Sequence, residues 1–387
     1  MRNRFLAETY RRQTTNALGS AAKKIGDPEL INLSIGDPDF VTPQEIIDEA
    51  FIQAGQGHTK YTKPSGDPQL VTAIRGFLKE EYQAHIEQDE IMVTVGACHA
   101  MYVAMSAILD EGDEVIVPDP YFVPYYDQVT MAGGKFVPLE TNFEEGFQLD
   151  LEALEKKISS RTKAILINSP NNPTGAVYDR TTLEKLGKIA QKHSIIVLSD
   201  EVYEAISFGQ KHVSVLEIAD LKDRSIVFGS FSKSYAMTGW RIGYAIAPEY
   251  VISTMVHINE SICFSAPSIS QRAALSALRQ RHALQPSLVA AFEERMVYGY
   301  RRIVATGILD VLRPKGGIYL FVDIRKTKLG SEVFAARLLE EKKVLVLPGN
   351  VFGEAGEGFV RIAVTVDLEK LKIAFDRIEE FIKTTGD

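Results

Sequence analysis

The sequence predicts an α/β fold: a large domain with a mostly parallel sheet covered by helices on both faces, and beside it a smaller α+β domain. From about residue 91, short apolar and β-branched runs alternate with amphipathic stretches. The runs are almost continuously apolar, which is typical of parallel strands buried on both faces. After residue 281 a long charged helical stretch is followed by shorter strands, and this change of pattern predicts the second domain.

The large domain is expected over residues 49–281. Its first strand, at 91–95, runs through a glycine into an apolar-periodic helix at 97–109. Strands that alternate with helical segments favour crossover units and therefore a parallel sheet. The further strands are expected at residues 114–118, 163–169, 194–200, 225–230 and 241–247.

The small domain is expected to combine residues 1–48 with residues 282–387. The chain has no internal repeat, low-complexity segment or Pro/Ser-rich linker, which favours two closely packed domains. Its elements are a helix at about 285–309, strands at 318–323, 344–348 and 359–364, and a final helix near 368–384.

The composition excludes several classes of protein. The 387 residues carry a net charge of −8 without a basic block, which disfavours nucleic-acid binding. The two cysteines, Cys98 and Cys263, exclude a disulfide scaffold and cannot form a zinc site alone, so no metal is expected. The charged N-terminus lacks the apolar region of a signal peptide, and no apolar run approaches the roughly 20 residues of a membrane helix. A cytoplasmic protein is therefore expected.

One cluster of reactive residues follows the predicted strand 225–230. Ser230, Ser232 and Lys233 stand at its carboxyl end, the edge at which open α/β sheets bind ligands, and Arg241 follows eight residues later. A desolvated lysine can form a Schiff base with a carbonyl cofactor, while hydroxyls and a guanidinium suit a phosphate. The Ser230-x-x-Lys233 spacing also occurs in penicillin-binding enzymes, but their Lys-Thr-Gly motif is missing here, so that interpretation is rejected.

Three more strand ends carry candidate site residues. Asp200 ends the strand at 194–200 and could hold a proton on a ring nitrogen, with Tyr203 on the same turn, although helix capping is an equal alternative. Asn172 lies in the turn-forming segment 171–175, after strand 163–169, at the same sheet edge. Gly96 opens a helix whose first amides could bind phosphate, and Cys98 there is expected to be a packing residue.

Six segments together resemble the class I/II aminotransferases, the pyridoxal-phosphate enzymes of the aspartate aminotransferase fold, which is fold type I. The resemblance runs in the family's order from about residue 30 to the C-terminus. Its segments are DPDF (37–40), KYTKPSGDPQL (60–70), NNPTG (171–175), SDEVY (199–203), SKSYAMTGWRIG (232–243) and VRIAV (360–364).

The resemblance implies that pyridoxal 5′-phosphate is the cofactor and assigns its contacts. Lys233 is implied to bond covalently to the cofactor and to move the proton, and Asp200 to pair with the ring nitrogen. Asn172 and Tyr203 are implied to bind the ring oxygen, and Phe122 to stack on the ring where many relatives have tryptophan. The implied phosphate ligands are Ser230, Ser232, Arg241 and the amides of Gly96, Ala97 and Cys98.

Substrate and subunit contacts are implied in the same way. Arg361 is implied to bind the substrate α-carboxylate, helped by Asn172 and the backbone of Gly36. Tyr61 is implied to reach the cofactor phosphate of a second copy, so a homodimer with shared active sites is expected. The bonds Asp119–Pro120 and Asn172–Pro173 are implied to be cis.

The implied reaction is ping-pong transfer of an amino group from an L-amino acid to a 2-oxo acid such as 2-oxoglutarate. A β-C–S lyase on the same scaffold is the alternative. A regulator with an aminotransferase-like domain would need a basic helix-turn-helix module, for which the segment before Leu30 leaves no room.

The amino donor stays open between aromatic or neutral amino acids and aspartate. No Lys or Arg lies between Lys79 and Lys135, a stretch that includes Phe122, so one obvious place for a cation that binds a distal carboxylate is lost. Tyr121, Tyr125 and Tyr126 near Phe122 could instead supply an aromatic pocket, which favours aromatic or neutral donors.

Overall fold

The computed structural model describes residues 5–6 and 29–385; the remaining residues of the predicted small domain lie outside the described residues. The helices are α1 (Gln44–Gly55), α2 (Pro68–Tyr82), α3 (Gly96–Ile108), α4 (Pro124–Met131), α5 (Leu151–Lys157), α6 (Arg180–His193), α7 (Glu249–Ile262), α8 (Ser268–Arg279), α9 (Arg281–Ala305), α10 (Ser331–Lys342) and α11 (Leu368–Thr385). The strands are β1 (Ile31–Asn32), β2 (Ile91–Thr94), β3 (Glu114–Asp119), β4 (Lys135–Glu140), β5 (Thr162–Asn168), β6 (Ile196–Asp200), β7 (Ser225–Ser230), β8 (Gly243–Ile246), β9 (Asp310–Val311), β10 (Tyr319–Asp323), β11 (Val344–Leu345), β12 (Leu347–Pro348) and β13 (Phe359–Ala363).

The large sheet has seven strands in the order β2-β8-β7-β6-β5-β3-β4. Every pairing in it is parallel except the two made by β8, which runs antiparallel to both of its neighbours. The mostly parallel sheet predicted from the sequence is therefore confirmed. Its parallel strands point their carboxyl ends to one edge, and the loops that follow them meet there.

Alternate residues of the strands pack against two different hydrophobic cores, one on each face of the sheet. In β2, Met92 joins one core and Val93 the other, and in β5 Leu166 and Ile167 divide in the same way. Because both faces are covered, the strands read as continuous apolar runs rather than as an alternating pattern.

The large sheet contains one strand that was not predicted from the sequence. β4 was not predicted, because Lys135 and Glu140 at its ends are charged and exposed, as suits an edge strand. The predicted strand at 241–247 is β8, and its antiparallel pairing with β2 and β7 is the exception within the mostly parallel sheet.

The second sheet contains four strands in the order β12-β13-β10-β9, and β1 pairs with β11 beside it. Pairing of Ile31 with Val344 ties the N-terminal segment to the C-terminal part of the chain. The predicted domain boundary at 49 falls inside α1, and the one at 281 coincides with the start of α9. Within the described part of the chain, no helix is both long and apolar enough to span a membrane.

The two predicted cis bonds, Asp119–Pro120 and Asn172–Pro173, are confirmed. Ser169–Pro170 is also cis and was not predicted.

Candidate active site

A cavity of about 290 Å³ lies at the carboxyl edge of the large sheet, between it and the second sheet. This volume is near the lower end of the roughly 300–1,000 Å³ typical of small-molecule pockets. The cavity gathers twelve of the residues predicted from the sequence: Gly36, Ala97, Cys98, Phe122, Asn172, Asp200, Tyr203, Ser230, Ser232, Lys233, Arg241 and Arg361.

Lys233 lies on the turn that follows β7. Within this turn the Ser232 amide donates to the Ser230 hydroxyl at 3.1 Å, and the Met237 amide donates to the Ser232 carbonyl at 3.0 Å. The Lys233 amine donates a hydrogen bond to the Gly36 carbonyl, which belongs to the segment after β1. The amine therefore lies in the cavity between the large sheet and the N-terminal segment.

Asp200 is the last residue of β6, and its side chain is buried with 5% of its surface exposed. Its Oδ1 accepts a hydrogen bond from the Val202 amide at 3.1 Å, and its Oδ2 accepts one from the Tyr125 hydroxyl at 2.5 Å. No cation among the described residues forms an ion pair with it, and burial raises the pKa of the carboxyl to about 6. A cation bound beside Asp200 would lower that pKa.

Arg241 lines the cavity beside the turn at Gly96. Gly96 starts α3 with φ +75°, a conformation that favours glycine, and a Cβ there would lie 2.6 Å from Arg241 Nη2, so a side chain would displace the guanidinium. Val95, which precedes the helix, makes no side-chain cap hydrogen bond, so the first amides of α3 stay available to an anion. Burial raises the pKa of the Cys98 thiol, which fits packing rather than nucleophilic reactivity.

Arg361 also lines the cavity, from β13, with 2% of its surface exposed. Its Nη1 donates to the Asn172 side-chain oxygen at 2.9 Å, and its Nη2 donates to the Ser34 carbonyl. No described carboxylate lies within ion-pair distance of it, and its Nε has no partner. A buried guanidinium without a counter-ion is suited to pair with a ligand carboxylate.

Tyr319 and Tyr125 contact residues of the site, although the sequence analysis assigned neither a part in its chemistry. Tyr319 places its ring 4.3 Å from the Arg361 guanidinium, and its hydroxyl accepts a hydrogen bond from Tyr203 at 3.1 Å. Tyr125 binds Asp200, as described above. Neither contact has a local sequence signal, because 116 residues separate Tyr203 from Tyr319 and 75 separate Tyr125 from Asp200.

The expected aromatic pocket around Phe122 is wrong in its members. Tyr121 and Tyr126 pack on Phe136, with ring centroids 4.6 and 5.4 Å apart, and Tyr125 points at Asp200. None of these three tyrosines lines the cavity. Tyr125 is buried, whereas Tyr121 is half-buried and Tyr126 is 50% exposed, so the three tyrosines do not form the expected pocket.

Tyr61 lies outside the cavity of its own chain. It is 85% exposed and contacts Phe264 edge-on, with ring centroids 5.1 Å apart. Gly96 does not line the cavity itself but contacts Arg241 through its turn, as described above.

Comparisons with known proteins agree with this arrangement. The family model for class I and II aminotransferases matches residues 28–378. An aspartate aminotransferase of Bacillus subtilis is 38% identical over 379 residues, which is 96% of each chain. The solved aromatic aminotransferase of Pyrococcus horikoshii is 37% identical with a TM-score of 0.91, covering 96% of this chain and 100% of the other. The aspartate aminotransferase of Thermus thermophilus solved with maleate is 36% identical with a TM-score of 0.92, covering 97% and 99%. On this evidence the chain belongs to the class I and II aminotransferase family and is a pyridoxal-phosphate-dependent transaminase.

Proposed function

We propose that the cavity binds pyridoxal 5′-phosphate and transfers the amino group of an aromatic or neutral L-amino acid to a 2-oxo acid such as 2-oxoglutarate. One observation carries the proposal. The same cavity holds a lysine amine, a buried carboxylate and a buried guanidinium, and among the described residues neither buried charge has a partner of opposite charge. A cofactor with a basic ring nitrogen and a substrate with a carboxylate would supply the two missing charges.

The residues present fit the cofactor at each of its polar groups. Arg241, Ser230, Ser232 and the first amides of α3 would hold the phosphate, because a guanidinium, hydroxyls and a helix N-terminus all favour an anion. Asn172 and Tyr203 would contact the ring oxygen, and Phe122 would cover one face of the ring. When bound, the ring withdraws electrons from the substrate Cα–H bond and stabilises the carbanion that forms.

Lys233 and Asp200 divide the proton chemistry between them. Lys233 would bond covalently to the cofactor aldehyde at rest and, once released by substrate, would move the proton from Cα. Asp200 would keep a proton on the ring nitrogen, because an adjacent positive charge favours its ionised form and offsets the burial that raises its pKa to about 6. Both residues can reach the cavity because β6 ends at Asp200 and Lys233 lies in the turn after β7.

Arg361 would orient the substrate by its α-carboxylate. Two flat faces hold the guanidinium, since its Cζ lies 4.3 Å from the Tyr319 ring centroid and 4.8 Å from that of Phe352. Its contact with Asn172 links this carboxylate site to the residue proposed to bind the cofactor ring. Every α-amino acid carries this carboxylate. The contact with Arg361 would therefore select amino acids as a class without distinguishing their side chains.

The cavity lining supports an aromatic or neutral donor. Among the described residues that line it, the cations are Lys233, Arg241 and Arg361, and all three already have roles. Its other walls include the apolar side chains of Ile35, Met101 and Phe122. Aspartate is the second candidate, favoured by the relatives named aspartate aminotransferase, and it would require a cation from beyond this lining.

Turnover of a panel of amino acids with 2-oxoglutarate as acceptor distinguishes aromatic or neutral donors from aspartate. We expect a higher kcat/KM for phenylalanine, tyrosine and methionine than for aspartate. A preference for aspartate would contradict the proposed donor class. Release of pyruvate and ammonia from a cysteine conjugate without any 2-oxo acid would instead indicate β-C–S lyase activity.

The covalent role of Lys233 is tested on the purified protein. Borohydride should fix the cofactor to Lys233 and to no other lysine, as peptide mass mapping would show. Lys233→Ala should bind cofactor only non-covalently and lose turnover by more than about a thousandfold, since both covalent and acid–base catalysis are removed. Lys233→Arg is the matched variant, because it keeps the charge but cannot form the bond. Turnover near that of the wild type in either variant would refute the mechanism.

The proposal also includes a cytoplasmic homodimer. The exposed aromatic pair Tyr61 and Phe264, 85% and 39% exposed, is the kind of surface that a second copy covers. Tyr61 has no role in its own chain's cavity, which supports its predicted contact with the cofactor phosphate of the partner.

A further inference from the structure

Tyr125 is buried beside the cavity, with 1% of its surface exposed. It lies in the first turn of α4, where its amide donates to the Phe122 carbonyl at 2.9 Å and its ring meets the Phe122 ring edge-on, with centroids 5.4 Å apart. Its hydroxyl donates to Asp200 Oδ2 at 2.5 Å. One helical turn therefore connects the residue proposed to cover the cofactor ring with the carboxylate proposed to bind its nitrogen.

The hydrogen bond has the geometry of a charge-assisted one, since hydroxyl donors to carboxylates lie at about 2.5–2.7 Å. Its direction is set by the phenol: burial and the neighbouring Asp200 charge raise the pKa of Tyr125 well above its ordinary value, so the phenol keeps its proton and donates it. Together with the Val202 amide on Oδ1, it fixes the rotation of the carboxylate. A carboxylate has about four acceptor positions, so positions stay free for a cofactor nitrogen.

We propose that Tyr125 is a positioning residue for the transamination reaction, which orients Asp200 and holds it ionised so that the proton stays on the cofactor ring nitrogen. The inference rests on the proposed function, because it requires the cofactor to occupy this cavity. It goes beyond that function in assigning a role to a tyrosine that does not line the cavity.

The groups around Asp200 explain why such a donor is needed. Burial disfavours its charge most strongly, and the adjacent Glu201 carboxylate also raises its pKa. Cys98 and Tyr203 lie close enough to interact with the Asp200 charge, but both are neutral, since burial raises the pKa of each. The Tyr125 hydroxyl and the Val202 amide are the contacts that lower the pKa of Asp200. Without the hydroxyl, the proton shared by Asp200 and the ring nitrogen shifts toward Asp200.

Tyr125→Phe removes the donor and leaves the ring in place. We expect kcat to fall by about tenfold or more, the effect of one hydrogen bond to a charged group, while KM changes little. The direct readout is the nitrogen NMR signal of bound cofactor labelled with ¹⁵N in its ring. In the variant this signal should move toward that of the unprotonated ring, and its titration should shift to lower pH.

Tyr235→Phe is the matched control, because Tyr235 is also buried and its hydroxyl has no hydrogen-bond partner among the described residues. It should leave both kcat and the nitrogen signal unchanged. In the background of Asp200→Asn, Tyr125→Phe should have almost no further effect, since the two residues act through one contact.

The outcomes separate this inference from the function on which it rests. A Tyr125→Phe protein with the nitrogen signal and kcat of the Tyr235→Phe control would overturn the role of Tyr125 while leaving the cofactor site intact. Equal losses in the wild-type and Asp200→Asn backgrounds would also overturn it, because the hydroxyl would then act elsewhere. Failure of the wild type to bind cofactor would overturn the proposed function first.

Discussion

Asp200 and Arg361 are buried charges that the described protein leaves without partners of opposite charge. Removing charges from water costs free energy that only a bound counter-ion or good hydrogen bonds recover. Hydrogen bonds from Tyr125 and Val202 hold Asp200, and aromatic faces with carbonyl and amide oxygens hold Arg361. Buried charges that are held by hydrogen bonds but lack counter-ions are typical of a preorganised site for charged ligands.

Asp200→Asn tests the carboxylate at the scale of one residue. The amide has the same shape but cannot hold the ring proton electrostatically, so we expect turnover to fall by far more than about 100-fold. Far-UV circular dichroism should show an unchanged fold. A loss of only twofold would reassign Asp200 to capping the turn after β6.

The same substitution changes how stability depends on pH. Burial raises the pKa of Asp200 to about 6 in the cofactor-free protein, while an aspartate in the unfolded chain titrates near about 4. Because the folded pKa is the higher one, the stabilising effect of this group is complete below about pH 4 and is lost as the pH rises through about 6. Relative to Asp200→Asn, the wild type should lose about 2 to 3 kcal/mol of unfolding free energy between those values. Urea unfolding of both proteins across this pH range measures the difference. If the unfolding free energy of the two proteins changed with pH in the same way, the raised pKa of Asp200 would be contradicted.

Strand ends and helix starts position the site at the scale of secondary structure. β6 and β7 end at Asp200 and Ser230, and α3 begins at Gly96. Since these elements are neighbours in one sheet or follow it directly, a few residues after each end converge on the same cavity.

Gly96→Ala tests the turn between β2 and α3. The added methyl group would lie 2.6 Å from Arg241 Nη2 and would occupy a backbone conformation with φ +75°, which side chains rarely adopt. We expect the guanidinium to move and the cofactor dissociation constant to rise by about tenfold or more, with roughly 1 to 2 kcal/mol of stability lost. Gly76→Ala on α2 is the control, since nothing lies within 4 Å of its added methyl group. Equal cofactor affinities in the two variants would argue against a phosphate site at Gly96.

The predicted dimer belongs to the scale of the whole molecule. In an isologous dimer each subunit would complete the site of the other, so two different defects can be separated between subunits. The Tyr61→Ala and Lys233→Ala proteins are unfolded, mixed and refolded together. The heterodimers that form should have one doubly defective site and one intact site. Activity should therefore exceed the average of the two impaired parents.

The control for this experiment is each parent refolded alone, and sedimentation gives the size of every sample. An interface of the obligate class buries about 2,000 Å² or more. A monomer in sedimentation would refute the dimer. A mixture that only averages its parents would mean that Tyr61 acts within its own chain.

The amino-acid sequence by itself determined the elements whose signals are local. Continuous apolar runs predicted β2, β3, β5, β6 and β7 to within two residues at each end, because burial on both faces leaves a pattern readable in a short window. The candidate residues Asp200, Ser230 and Lys233 came from the same logic, because Asp200 and Ser230 end buried strands and Lys233 lies in the turn after one. The assigned roles came from the family resemblance and not from the pattern.

Only the tertiary structure decided which distant residues touch. It brought Arg361 to Asn172 across 189 residues and Tyr125 to Asp200 across 75, and it turned Tyr121 and Tyr126 away from the cavity. It also set the antiparallel direction of β8 and added the charged edge strand β4. Periodicity along a chain reports which side chains are buried, but the partner of a buried side chain depends on how the elements pack.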